Sequence, residues 1–120
     1  MKAMVLDRFG GPEVLYLADI ERPRASPGNV VVQVAFAGVN PADWKAREGW
    51  LASYFQYQFP FVLGFDAAGI IAEVGEGVEG LGTGDRVVTP GNQGMGERGS
   101  YAEYVSAAAE RVVRLPDHVG

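Results

Sequence analysis

Apolar residues in this chain recur largely at every second position, in short runs, which is the period of a strand with one buried face. Residues 2–7 (KAMVLD) form the first such run. Residues 14–20 put Val14, Tyr16, Ala18 and Ile20 on one face. Residues 30–37 put Val30, Val32, Val34 and Phe36 on one face and Gln33 on the other. Residues 68–74 carry Ile70, Ile71 and Val74, and residues 85–89, 100–106 and 111–115 complete a set of about seven strands. They are separated by Gly10-Gly11-Pro12, by the Pro- and Gly-bearing stretch 22–28, and by clusters of glycine. Many short strands with Gly/Pro punctuation predict a mostly β fold, a barrel or a sandwich.

One helix interrupts the pattern. Asn40 is a good N-cap, Pro41 suits the first helical position, and Asp43 falls at the third, where a carboxylate meets the positive end of the helix dipole. Residues 42–48 tolerate a helix and Gly49 offers its stop. Residues 50–62 (WLASYFQYQFPFV) are aromatic-rich, and Pro60 opposes a continuous helix there. A short helical turn followed by an extended approach to Gly64 is expected.

The spacing G-x-G-x-x-G occurs twice, at Gly75, Gly77 and Gly80 and at Gly94, Gly96 and Gly99. A dinucleotide fingerprint needs a strand, a tight turn and then a helix whose N-terminus receives the pyrophosphate. Gly82 and Gly84 follow the first copy and disfavour a helix by about 1 kcal/mol each. A strand-like SYAEYV follows the second. Both copies therefore read as turns between strands.

Composition narrows the class. The length suits one domain with one modest core. With 48% hydrophobic and 21% charged residues the chain reads as a soluble globular protein. A net charge of −5 argues against a nucleic-acid footprint or an anionic-membrane surface. There is no cysteine, so disulfides, thiolate metal sites and Cys nucleophiles are excluded. His118, beside Pro116 and Asp117, is the single histidine and reads as a solvated side chain. The first residues lack a signal-peptide core and no apolar run approaches a membrane span, so a cytoplasmic location is expected.

Four segments, in order, carry a resemblance: Phe9-Gly10-Gly11-Pro12-Glu13-Val14-Leu15; then Gly38-Val39-Asn40-Pro41-Ala42-Asp43, leading to Arg47 and Gly49; then residues 60–88, with Gly64-Phe65-Asp66 and Gly84-Asp85-Arg86-Val87; and last Gly99-Ser100-Tyr101-Ala102-Glu103-Tyr104, followed by Val113-Arg114-Leu115-Pro116. Together they resemble the quinone-oxidoreductase branch of the medium-chain dehydrogenase/reductase superfamily, over essentially the whole chain. The resemblance implies an N-terminal GroES-like catalytic domain over residues 1–120, a partly open β-barrel with one or two short helices. Members continue into a Rossmann cofactor domain, so the chain is expected to lack that domain, to be inactive alone and to self-associate through a strand edge or apolar face left bare.

In zinc-dependent relatives a Cys stands at the position of Asn40 and a His at that of Phe65. Neither is kept, and residues 90–99 lack the cysteines of a structural zinc lobe. The resemblance thus implies NADPH-dependent hydride transfer to a quinone or enone without zinc. Asn40 is expected to cap the helix and to make a polar contact near the nicotinamide or the substrate oxygen. Lys45 replaces a cofactor-contacting Tyr of the branch. It either reaches a phosphate or substrate carbonyl or is an exposed helix residue. Trp50, Tyr54, Tyr57 and Phe65 are candidate pocket walls for a planar substrate, with Tyr54 or Tyr57 as proton donor. Asp66 and Asp85 read as turn formers, and Tyr101 and Tyr104 as packing residues. The alternatives are an alcohol or enoyl-thioester reductase of the same superfamily, and a GroES-like binding or oligomerisation module. The parent protein is expected to be a homo-oligomer acting on a small molecule.

Overall fold

A computed structural model of the chain describes residues 1–90 and 98–118. Its elements in chain order are β1 (Lys2–Leu6), β2 (Tyr16–Asp19), β3 (Asn29–Phe36), α1 (Pro41–Arg47), β4 (Phe61–Val62), β5 (Ala67–Val74), β6 (Arg86–Thr89), β7 (Tyr104–Ala108) and β8 (Val113–Arg114), with 3-10 turns at Pro12–Val14 and Ala109–Arg111. The mostly β architecture expected from the sequence is borne out. The strands form two antiparallel sheets, ordered β2-β1-β4 and β7-β3-β5-β6-β8, which do not close into a barrel. A bridge between Ala3 and Ala102 joins them.

Sheet order follows burial. Val30, Val31 and Val32 of β3 are fully buried, each contributing about 1.5–3 kcal/mol. This strand accordingly takes the interior of the larger sheet, between β7 and β5. Val30, Val32, Ile71, Val87, Val105 and Ala107 form its core. A second cluster, of Leu6, Val14, Ala46, Phe61 and Leu63, seats α1 against the smaller sheet. Ala3, Val5 and Val62 form a third between the two.

Several expectations shift. The run at 14–20 is a strand only over Tyr16–Asp19; Val14 belongs to the 3-10 turn, and Tyr16 points outward to donate its hydroxyl to Asp7. Phe36, expected on the buried face, is 77% exposed. Val34 lies opposite Gly69 but Phe36 lies opposite Ala68, so Ala35 is an extra residue that reverses the alternation. The run at 100–106 becomes β7 at Tyr104–Ala108, because residues 99–101 pair irregularly with residues 62–64. The first glycine pattern is a turn, with Gly77 and Gly80 both at positive φ. Gly94 and Gly96 of the second lie outside the described residues.

Candidate functional site

The chain leaves β3 through residues 37–39 and enters α1 at Asn40, in extended conformation with Pro41 at the first helical position. The Asn40 N–H donates to Asp43 Oδ2 at 2.8 Å, the reciprocal arm of a capping box. Asp43 does more than cap. It is only 3% exposed. Its Oδ1 accepts the Gly64 N–H at 3.0 Å and its Oδ2 also accepts the Tyr101 hydroxyl at 3.0 Å. Asp66, two residues past Gly64, accepts the Gly38 N–H at 2.6 Å and the Asn40 Nδ2–H at 3.0 Å. Its backbone carbonyl accepts the Ser100 hydroxyl. Gly99, Ser100 and Tyr101 donate their N–H groups to the carbonyls of Val62, Gly64 and Leu63. Three segments distant in sequence, around Asn40, Gly64 and Ser100, are thus locked through two carboxylates.

Electrostatics follow from this arrangement. Burial foremost, then the hydrogen bond to Asp43 and the charges of Asp43 and Asp66, hold the Tyr101 hydroxyl well above the ordinary tyrosine range, so it remains a donor. Burial likewise raises Tyr57. A tyrosine raised in the folded state keeps its proton after the unfolded chain has lost its own. Stability is therefore complete below about pH 10 and falls as pH rises beyond it. We expect Tyr101→Phe to cost about 1 kcal/mol at neutral pH and to flatten the alkaline decline, read by urea unfolding between neutral pH and pH 11. An unchanged decline would place its origin elsewhere.

The six expected site residues divide. Asn40 and Phe65 lie at the network, Phe65 half-buried between Gly64 and Asp66. Lys45 and Trp50 come together at the end of α1, where the backbone N–H of Trp50 donates to the Lys45 carbonyl at 3.0 Å. Tyr54 is 78% exposed on the turn that follows. Tyr57 goes elsewhere. Its ring enters the α1 core, edge-on to Phe9 and Phe61 with centroids 5.6 and 4.7 Å away. Its hydroxyl is buried and has no partner among the described residues. Tyr57 therefore contributes to packing around the α1 core, where it is partly buried. Three contributors were not singled out as site residues from sequence: Asp43 as a hub, Tyr101 as its donor, and Trp44, which meets Trp50 edge to face at 5.0 Å. The capping pattern around Asp43 was visible; its two distant donors had no local signal.

The donor set does not suit zinc. The two positions where relatives carry ligands hold an amide that is hydrogen-bonded to Asp66 and a phenyl ring. The nearby carboxylates of Asp43 and Asp66 already accept N–H and O–H groups on all four oxygens. Among the described residues no group of three His, Cys, Asp or Glu side chains converges, whereas a catalytic zinc takes about three protein ligands. A groove of about 880 Å³ runs along the β7 edge of the larger sheet past Phe61, Val62, Tyr104 and Ser106. It contains none of the six expected residues, and Trp50 and Tyr54 are exposed outside it. No helix among the described residues is long and apolar enough to cross a membrane.

Comparison with known proteins agrees with this geometry. Residues 26–117 match the alcohol dehydrogenase GroES-like domain. The chain is 40% identical over 117 residues to the trans-enoyl reductase fsr4 of Gibberella fujikuroi, covering 98% of this chain and 32% of that protein. It is 39% identical over 117 residues to a quinone oxidoreductase of Lama guanicoe, covering 97% of this chain and 34% of the relative. Its fold superposes on the Escherichia coli quinone oxidoreductase solved in complex with NADPH with a TM-score of 0.86 at 28% identity, covering all of this chain and 35% of the other. The chain belongs to the alcohol dehydrogenase GroES-like domain family, and the relatives it matches are quinone oxidoreductases and related members of the medium-chain dehydrogenase/reductase superfamily. It spans about a third of the length of the relatives it matches.

Proposed function

We propose that this chain is the substrate-side domain of a zinc-independent, NADPH-dependent reductase of quinones and enones, the cofactor being held mainly by a Rossmann domain outside this sequence. The observation that carries the reading is the pairing of Asn40 and Phe65 at the two zinc-ligand positions, within a chain that matches a quinone oxidoreductase over nearly its whole length. NADPH enters through the solved relative that holds it. When bound, it supplies the hydride. The residues of this chain suited to it are polar or flat: the Asn40 amide at the mouth of α1, the Lys45 ammonium, and the Trp50 and Tyr54 rings as walls for a planar acceptor. Tyr54, exposed and near the end of α1, is the better placed of the two tyrosines to give a proton to a reduced carbonyl. On this reading the 120 residues alone turn nothing over, and the parent protein is a cytoplasmic homo-oligomer acting on a small molecule.

The test is turnover by the complete protein. NADPH oxidation is expected with a quinone such as 1,4-naphthoquinone, undiminished by chelator, with substoichiometric zinc after purification. Stoichiometric tightly bound zinc, or turnover of simple alcohols only, would sink the assignment. The trans-enoyl reductase relative favours one second reading, reduction of an enoyl thioester. A substrate panel that includes an enoyl thioester separates the two.

A further inference from the structure

Lys45 is the cation with the least ordinary surroundings. Its Nζ stands 5.8 Å from the centroid of the Trp44 ring and 5.8 Å from that of Trp50. The indoles meet edge to face at an interplanar angle of 79° and remain 38% and 56% exposed. The chain is acidic, with a net charge of −5, and the ion pairs seen among the described residues include Lys2, Arg24, Arg47 and Arg114 but not Lys45. A cation–π contact reaches to about 6 Å. Lys45 therefore sits at the far limit of two such contacts, held beside both rings with no carboxylate partner among the described residues. Backbone bonds fix the arrangement: the Glu48 N–H donates to the Trp44 carbonyl and the Trp50 N–H to the Lys45 carbonyl, both at 3.0 Å. Two flat apolar surfaces and one uncommitted ammonium are thus presented together, before any ligand arrives.

We propose that Trp44, Lys45 and Trp50 form a subsite for a planar ligand bearing a negative group, its ring against indole and its anion on Lys45 Nζ, so that acidic quinones or enones bind in preference to neutral ones. The choice of quinones and enones rests on the reductase reading above; the charge preference does not. An NADPH phosphate shares the anionic chemistry and is distinguished in the test.

The chain contains two tryptophans, both in this subsite, so its intrinsic fluorescence reads the subsite directly. Anthraquinone-2-sulfonate should quench saturably, with an apparent Kd about fivefold lower than neutral 2-(hydroxymethyl)anthraquinone, an effect of the size expected for a partly exposed ion pair. Added salt and Lys45→Gln should each abolish the difference, leaving the neutral ligand unaffected; Lys45→Arg should keep it. Equal affinity for the two quinones, quenching that never saturates, or a preference that survives Lys45→Gln overturns the proposal. In parallel, NADPH is titrated against NADH on the complete protein. If Lys45→Gln weakens only NADPH and spares the sulfonate, the anion is the cofactor's phosphate and the substrate assignment is overturned. Failure of the turnover assay would leave this binding result standing, and loss of charge preference would leave turnover standing.

Discussion

Asp43→Ala is expected to destabilise the chain by about 3–5 kcal/mol, the cost of stripping a buried acceptor from several donors at once. The substitution leaves the N–H groups of Asn40 and Gly64 and the Tyr101 hydroxyl without their acceptor, in a place that is 3% exposed. A domain of this size has only about 5–15 kcal/mol of stability to lose. Asp43→Asn keeps one carbonyl oxygen but turns an NH2 toward the remaining donors, so a loss of about half is expected. Urea unfolding followed by tryptophan fluorescence measures both. An Asp43→Ala shift below about 1 kcal/mol would mean that water reaches these donors and that Asp43 is a simple helix cap.

Gly64→Ala is the second large effect. Gly64 has a φ of +112°, where a side chain is strained, and a Cβ there would lie 2.6 Å from the Ser100 nitrogen and 2.9 Å from the Tyr101 nitrogen, besides colliding with Ser100 Oγ. Backbone atoms held by three hydrogen bonds cannot step aside. Gly77→Ala is the internal control: its φ is +82° and nothing lies within 4 Å of the added carbon. Strain alone should cost Gly77→Ala about 1 kcal/mol, while Gly64→Ala should cost about 3 kcal/mol or more, since overpacking adds to strain. It should also break the Asn40–Asp66 contact, visible as a shift of the Asn40 side-chain amide in an NMR spectrum. Similar losses at the two glycines would show that crowding at Gly64 is relieved.

These effects separate what local sequence carries from what it does not. The N-terminus of α1 was legible because Asn40, Pro41 and Asp43 act within one turn. The long strands were legible to within a residue or two, since burial writes itself as alternation. β4 was not, because Phe61 and Val62 become a strand only by pairing with Leu6 and Val5, more than fifty residues earlier. Asp43 as a hub was hidden for the same reason: its partner Tyr101 lies 58 residues away. The aromatic segment offered no period to sort by. Trp50 faces out and Tyr57 faces in, and only the packing of Phe9 and Phe61 decides which. Phe36 was misassigned because one extra residue turns it over.

That extra residue has a counterpart. Val31 lies opposite Glu73 and Val32 opposite Ile71, so Ala72 is spare on β5, just as Ala35 is spare on β3. The two irregularities sit on opposite strands and cancel: the pairing slips by one residue and then returns to step. Between Val34 and Asn40 the chain is therefore counted, not merely long enough. Removing Ala35 would shorten nothing useful. It would put Phe36 on the opposite side of the sheet and carry Gly38 and Asn40 out of reach of Asp66. The turn at Gly77 and Gly80, with open space around both, can absorb a change in length. The approach to Asn40 cannot, so the position of the candidate site is encoded as a reading frame in the sheet.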